Sequence, residues 1–178
     1  YLSELLGTAV LVYFGNTAVA NVLLRRTNGN GAGWIVIATG YAMGIFVGIW
    51  VAAASGGHLN PAVTVAMWAH GKLAGALVPG YIAAQFAGAM AGAALVWLQY
   101  LPHWGQTESQ AAKLGCFATA PAIRAPLSNL ISELLATFFF VFGILMLVDS
   151  PWQALAPVAD DAARAAADST RGVLFGAA

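Results

Sequence analysis

Charge is what this sequence has least of. Asp, Glu, Lys and Arg make up 8% of its 178 residues, where a soluble domain carries about a quarter. That shortage excludes an ordinary water-soluble fold. Seven basic residues balance seven acidic ones, so no surplus of positive charge exists to meet phosphates, and nucleic acid is excluded as a partner. Cys116 is the one cysteine, which rules out an internal disulfide. No Cys, His or carboxylate lies at ligand spacing from His58, so neither a metal nor any other cofactor is expected. A Ser–His pair or two aspartates at bilayer depth, as an intramembrane protease needs, are also missing, and the chain is read as a non-enzyme.

What remains is apolar. Residues 5–24, 27–71 and 73–107 hold no charge, and 125–148 hold Glu133 alone. Uncharged apolar runs of about 18 residues or more read as bilayer spans. Four are expected, at about Leu2–Leu24, Trp34–Ala54, Leu77–Leu101 and Leu127–Val148. Each is long enough as a helix to cross the ~30 Å hydrocarbon core. Barrel strands would be about 10 residues long and alternate, so the fold class is an all-α integral membrane protein. Trp50, Trp68, Trp97 and Trp104 read as interfacial anchors or packing, and His70 and His103 as interface residues. The opening Tyr1, in place of Met, reads as a processed or cut N-terminus, and no basic leader marks a secretory signal.

Three features organise the spans. Small residues recur every fourth position, as Gly40, Gly44, Gly48 and Ala52 in the second span and Gly80, Ala84, Gly88 and Gly92 in the third. Residues four apart share a helix face, and small faces let membrane helices approach closely. Next, Leu2-Ser3-Glu4-Leu5-Leu6-Gly7-Thr8 is repeated as Ile131-Ser132-Glu133-Leu134-Leu135-Ala136-Thr137, at an offset of 129. Three spans separate the copies, and an odd number inverts the second relative to the membrane, as in many transporters. Finally, residues 149–178 regain charge (Asp149, Asp160, Asp161, Arg164, Asp168, Arg171). They read as a tail outside the bilayer with a short alanine-rich helix at Val158–Asp168.

The segment 55–76 is apolar but opens Ser55-Gly56-Gly57-His58-Leu59-Asn60-Pro61. Asn is a good N-cap and Pro is favoured in the first helical turn. A helix from Pro61 to about His70 would be roughly 15 Å long, half a bilayer. Non-helical backbone leading to its start is tolerated at membrane depth only where it lines a cavity or is buried in protein. The helix N-terminus and the Asn60 amide would then give a polar, cation-repelling point in the membrane. Asn-Pro alone fits a capped helix outside the membrane better.

The full string Ser55-Gly56-Gly57-His58-Leu59-Asn60-Pro61-Ala62-Val63-Thr64 resembles the signature of the major intrinsic protein family, the aquaporins and aquaglyceroporins. The paired starts at Glu4 and Glu133 resemble its repeats. Tyr81-Ile82-Ala83-Ala84-Gln85 and the Phe117–Arg124 stretch look like its glycerol-facilitator branch. The resemblance, over about residues 2–148, implies an aquaporin-like helical bundle. Residues 1–101 would form the first inverted repeat, with three spans and a re-entrant half-helix at 61–70. Residues 102–126 would connect it to the first span of the second repeat, 127–148.

The same resemblance implies a passive channel for glycerol, water and other small neutral solutes. It would lie in the lipid bilayer of a bacterial plasma membrane, as a homotetramer when complete. Asn60 would be the central amide donor. Gly56, Gly57, His58 and Leu59 would present backbone carbonyls, and Pro61 and Ala62 would abut a second half-helix. Glu4 and Glu133 would anchor re-entrant segments. Tyr41 falls close to the aromatic position of the selectivity filter, where glycerol facilitators usually carry Trp. A histidine at position 58 is expected to make a structural hydrogen bond.

The family's second Asn-Pro-Ala, with the filter arginine, would fall near residue 189 at the repeat offset of 129. The expectation is therefore a truncated or frame-disrupted copy that does not conduct by itself. The Gly40–Ala52 face and Asn60 would then be left open to lipid. The competing reading is a non-conducting membrane protein that keeps the helix packing without the pore. Family topology would put 25–33 and 102–126 outside, with Arg25, Arg26, Lys113 and Arg124 against Lys72, Arg164 and Arg171 inside. That balance runs slightly against the positive-inside rule.

Overall fold

The structure is a computed structural model and describes residues 1–149. The charged tail and the alanine-rich stretch at Val158–Asp168 lie outside the described residues. Within them, apolar sequence becomes helix: α1 Leu2–Leu23, α2 Trp34–Val51, α3 Pro61–Ala69, α4 Val78–Gln99, α5 Leu101–Gln106, α6 Gln110–Gly115 and α7 Pro126–Val148. Single 3-10 turns at Ala53–Ser55 and Gly75–Leu77 lead out of α2 and into α4. Four stretches, Leu2–Leu23, Trp34–Val51, Gly75–Gln99 and Pro126–Val148, are long and apolar enough to cross a membrane. Large apolar side chains such as Ile35, Phe46, Trp50, Phe86 and Met90 point outward. In water such a surface would aggregate; in lipid it is the expected exterior.

By contact the chain divides into Tyr1–Glu133 and Leu134–Ala178. In the second unit the described part is mainly the continuation of α7, where Phe138 stacks on Phe142 one turn along, with ring centroids 6.0 Å apart.

In the first unit α1 is the central helix, with α2 and α4 packed on it and α3 against α4. Both small-residue ladders face α1. A Cβ added at Gly44 would stand 2.8 Å from the Leu11 carbonyl oxygen, and one at Gly48 2.9 Å from that of Gly7. On α4, a Cβ at Gly92 would stand 2.5 Å from the Ala9 oxygen, and one at Gly88 would overlap the oxygen of Leu5. Close backbone approach of this kind is how membrane helices gain dispersion energy when no hydrophobic drive separates them from lipid. It also corrects one expectation. The Gly40–Ala52 face is not open to lipid: Gly44, Gly48 and Ala52 are buried, because α1 already fills it.

The turn after α1 satisfies the helix end. Gly31 N–H and the Asn30 side-chain amide donate to the Val22 carbonyl at 3.0 and 3.1 Å. Thr27 Oγ1 donates to the Asn21 carbonyl at 2.5 Å. These are carbonyls that a helix C-terminus leaves without partners. The 102–126 connection is not a plain loop. Pro102 lies in the first turn of α5, and Ser109 caps α6 by accepting from Ala112 N at 3.2 Å. The connection is fastened to the end of α1: Thr107 Oγ1 accepts from Arg25 N at 2.9 Å, and His103 Nδ1 donates to the Arg25 carbonyl at 2.9 Å. Cys116 is packed with Ala20, Leu24, Val96 and Tyr100. Burial pushes its thiol up to about 11, so it is a packing residue with no thiolate at neutral pH.

Candidate functional site

The site grows from a carboxylate in the first turn of α1. Glu4 is fully buried in a helix with no other charge. A buried carboxylate is costly unless its oxygens are fully engaged. Here they are. Oε1 accepts from Ser55 Oγ at 2.8 Å and His58 N at 3.0 Å; Oε2 accepts from Leu59 N at 2.8 Å and Gln85 Nε2 at 2.8 Å. One side chain thus fastens the 55–59 backbone to α1 and α4.

That backbone has the form its sequence demands. Gly56 and Gly57 adopt φ of 90° and 65°, and Leu59 follows at 54°. For a non-glycine the left-handed region costs on the order of 1–3 kcal/mol and persists where the surroundings over-determine it. Two things hold Leu59 there: its N–H on Glu4, and a socket for its side chain. A Cβ at Gly7 would stand 2.6 Å from Leu59 Cδ2, and one at Gly48 would stand 2.9 Å from Cδ1. The side chain of Leu59 is therefore a wedge between α1 and α2.

The chain then turns at Asn60, which is extended (φ −152°, ψ 129°), and α3 begins at Pro61. Asn60 Oδ1 accepts from Ala62 N at 2.8 Å. This is the N-cap bond that satisfies one orphan donor, and it leaves the side-chain NH2 as donor. Asn60 is only partly buried. Thr64, one turn on, donates to the Asn60 carbonyl at 3.1 Å, accepts from Gln85 Nε2 at 2.9 Å and lies 3.2 Å from His58 Nδ1. His58 thus makes a side-chain hydrogen bond within the cluster. Tyr81 closes the other side: its hydroxyl donates to the Ser55 carbonyl at 2.9 Å, and its ring centroid is 5.1 Å from that of His58.

Asn60→Ala is expected to lose about 1 kcal/mol of helix capping. The check is hydrogen exchange: the Ala62 and Val63 amides should exchange about fivefold faster, while α4 amides stay unchanged. Equal protection in both proteins would show that the cap contributes nothing.

The structure gathers Glu4, Gly56, Gly57, His58, Leu59, Asn60, Pro61 and Ala62 around one segment. Tyr41 lies on α2 in different surroundings: its hydroxyl donates to Asn16 Oδ1 at 2.8 Å, and its ring covers Gly15. Tyr41 also borders a cavity of about 520 Å³ shared with the 111–120 segment. Glu133 is exposed on α7 and takes no part in the Glu4 cluster. Sequence reading gave no role to Gln85, Thr64, Ser55, Tyr81 or Asn16. Gln85 and Asn16 carried a usable signal, since a lone amide inside an apolar span is expected to face a partner within the bundle.

Comparison with known proteins gives this arrangement its context. The family model described as major intrinsic protein matches residues 1–160. The chain belongs to the major intrinsic protein family. Its all-helical spans accord with the family's membrane fold, and the protein is an integral membrane protein. Several relatives carry the name glycerol uptake facilitator. The Streptococcus pneumoniae (strain R6) protein is 48% identical over 145 residues, 81% of this chain and 62% of its own length. The Thermotoga maritima protein, named a probable glycerol uptake facilitator, is 44% identical over 146 residues, covering 82% and 62%. The Bacillus subtilis protein is 42% identical over 146 residues, covering 82% and 53%. The chain thus spans less than two thirds of the curated relatives it matches.

Proposed function

We propose that this protein is a passive channel, not an enzyme. It would carry glycerol, water and other small neutral solutes across a bacterial plasma membrane and assemble as a homotetramer. The observation that carries this reading is a helix that starts at Asn60 behind strained, glycine-containing backbone tied to a buried carboxylate. Irregular backbone is tolerated at membrane depth where it lines a cavity or is buried in protein, and Gly57, His58 and Asn60 are only partly buried. The facilitator names of the bacterial relatives support glycerol as the solute.

In this reading each group has a task. The Asn60 NH2 donates to a solute oxygen in transit. Gly56, Gly57, His58 and Leu59 line one side of the path with backbone carbonyls, which replace hydration for O–H donors. Pro61 and Ala62 meet a second half-helix, and the positive ends of the paired dipoles repel cations and protons. Tyr41 forms part of the narrow filter. Glu133 holds the second re-entrant segment as Glu4 holds the first.

The test is stopped-flow light scattering on proteoliposomes holding the natural full-length protein, with glycerol and water gradients run side by side. Asn60→Asp keeps the capping oxygen but adds negative charge in the path. Its melting temperature should match the wild type while glycerol flux falls about tenfold or more. Wild-type flux no higher than that of empty vesicles would overturn the channel and favour a membrane protein that keeps the packing without a pore.

A further inference from the structure

We infer that Asn16 is a positioning residue for solute selection: it holds the Tyr41 ring beside the cavity and engages its hydroxyl hydrogen, so that Tyr41 offers passing solutes an acceptor oxygen. The inference rests on the channel reading above and adds to it a residue on α1.

Asn16 lies in the interior of α1 and is 7% exposed. A primary amide buried in a membrane helix is unfavourable unless it is hydrogen-bonded. Its oxygen takes the Tyr41 hydroxyl at 2.8 Å. The preceding residue is built for the same contact. Gly15 has no Cβ, and one placed there would overlap the Tyr41 ring, with Cζ at 2.7 Å. Gly15 and Asn16 together thus form a recess for the ring and a receptor for its hydroxyl.

The direction of that hydrogen bond has a chemical consequence. An amide oxygen only accepts, so the shared hydrogen is the phenol's. With it engaged, Tyr41 Oη keeps acceptor capacity and has no hydrogen left to give. A solute that meets it must bring a hydrogen, as water and polyol hydroxyls do. The cavity wall beside Tyr41 is otherwise largely apolar, with Val19, Trp34, Ile37 and Phe117 among its lining residues. A polyol has both faces that such a wall requires: carbon-bound hydrogens for the apolar side and O–H donors for the oxygen. Water has only the second. The Asn16–Tyr41 pair is therefore placed to set the ratio of glycerol to water passage.

The experiment measures glycerol and water permeability of proteoliposomes containing the natural full-length protein and its Asn16→Ala, Tyr41→Phe, double and Asn16→Asp variants. Asn16→Ala and Tyr41→Phe should each move the glycerol-to-water ratio in the same direction by about threefold to tenfold, the range of one hydrogen bond. The double variant should match Tyr41→Phe, because without the hydroxyl Asn16 has nothing to hold. Asn16→Asp, which keeps an acceptor oxygen in place, should bring the ratio back towards wild type. Asn16→Ala lowering both permeabilities in proportion would show packing alone and overturn the inference. So would additive effects in the double variant, or an unmoved ratio. Wild-type protein without flux would overturn the channel reading and this inference with it; wild-type flux with a ratio insensitive to Asn16 overturns the inference alone.

Discussion

Glu4→Gln should disable the protein more severely than any other single-atom-scale change. The carboxylate accepts from Ser55 Oγ, His58 N, Leu59 N and Gln85 Nε2. An amide has one acceptor oxygen, and its NH2 would face donors where Oε1 or Oε2 now accepts. At least one pair of donors loses its partner. Leu59 N is buried, and each orphaned buried donor costs about 1–3 kcal/mol. The left-handed backbone at Leu59 loses one of its two restraints at the same time. The expected result is a stability loss of about 3 kcal/mol, read as a lower melting temperature in detergent by circular dichroism. In the channel reading, glycerol flux should also fall by an order of magnitude or more. Wild-type melting together with wild-type flux would mean that the 55–59 segment does not depend on Glu4.

Gly7→Val is the second large effect. A Cβ at Gly7 would stand 2.6 Å from Leu59 Cδ2, 2.7 Å from Ala52 Cβ and 2.7 Å from the Gly48 carbonyl oxygen. Leu59 Cδ2 is the end of a flexible side chain, but Leu59 is buried and its other methyl, Cδ1, lies against Gly48. The Gly48 oxygen belongs to the α2 backbone and yields only if the helices part. Over-packing of this kind costs about 1–3 kcal/mol, and valine adds two methyl groups to the clash. The variant should show reduced yield of folded protein and a lower melting temperature. Gly105→Ala is the control, since nothing lies within 4 Å of a Cβ there, and it should melt as wild type. If Gly7→Val also melts as wild type, the close approach of α1 and α2 is not a source of stability.

Both predictions depend on pairings between residues far apart in the chain, and this is where sequence reading stopped. The glycine and alanine ladders announced two small-residue faces. They did not say that both faces meet the same helix, with Gly44 on Leu11 and Gly92 on Ala9. The Gly40–Ala52 face, expected to open to lipid in a chain without later spans, is covered by α1. The 102–126 connection carries three prolines, which by themselves point to irregular backbone. Pro102 instead starts a short helix, which is one of the few helical places that tolerate proline. For Leu59 the family resemblance implies a carbonyl role, and only the packed helices show its side chain as the wedge between Gly7 and Gly48.

The sequence by itself determined the membrane class, the spans and the family. Apolar length against bilayer thickness is a local quantity, and Ser55-Gly56-Gly57-His58-Leu59-Asn60-Pro61-Ala62 is a contiguous string. It also determined the Asn60 cap and the start of α3 at Pro61, since capping is settled within a few residues. Tertiary structure decided the rest. Glu4 draws its donors from Ser55, His58, Leu59 and Gln85, and Asn16 meets Tyr41 from another helix. A buried polar group must find a partner, but the requirement does not say which one. In an apolar bundle that choice follows from which helix faces can approach closely enough, and only the assembled helices decide it.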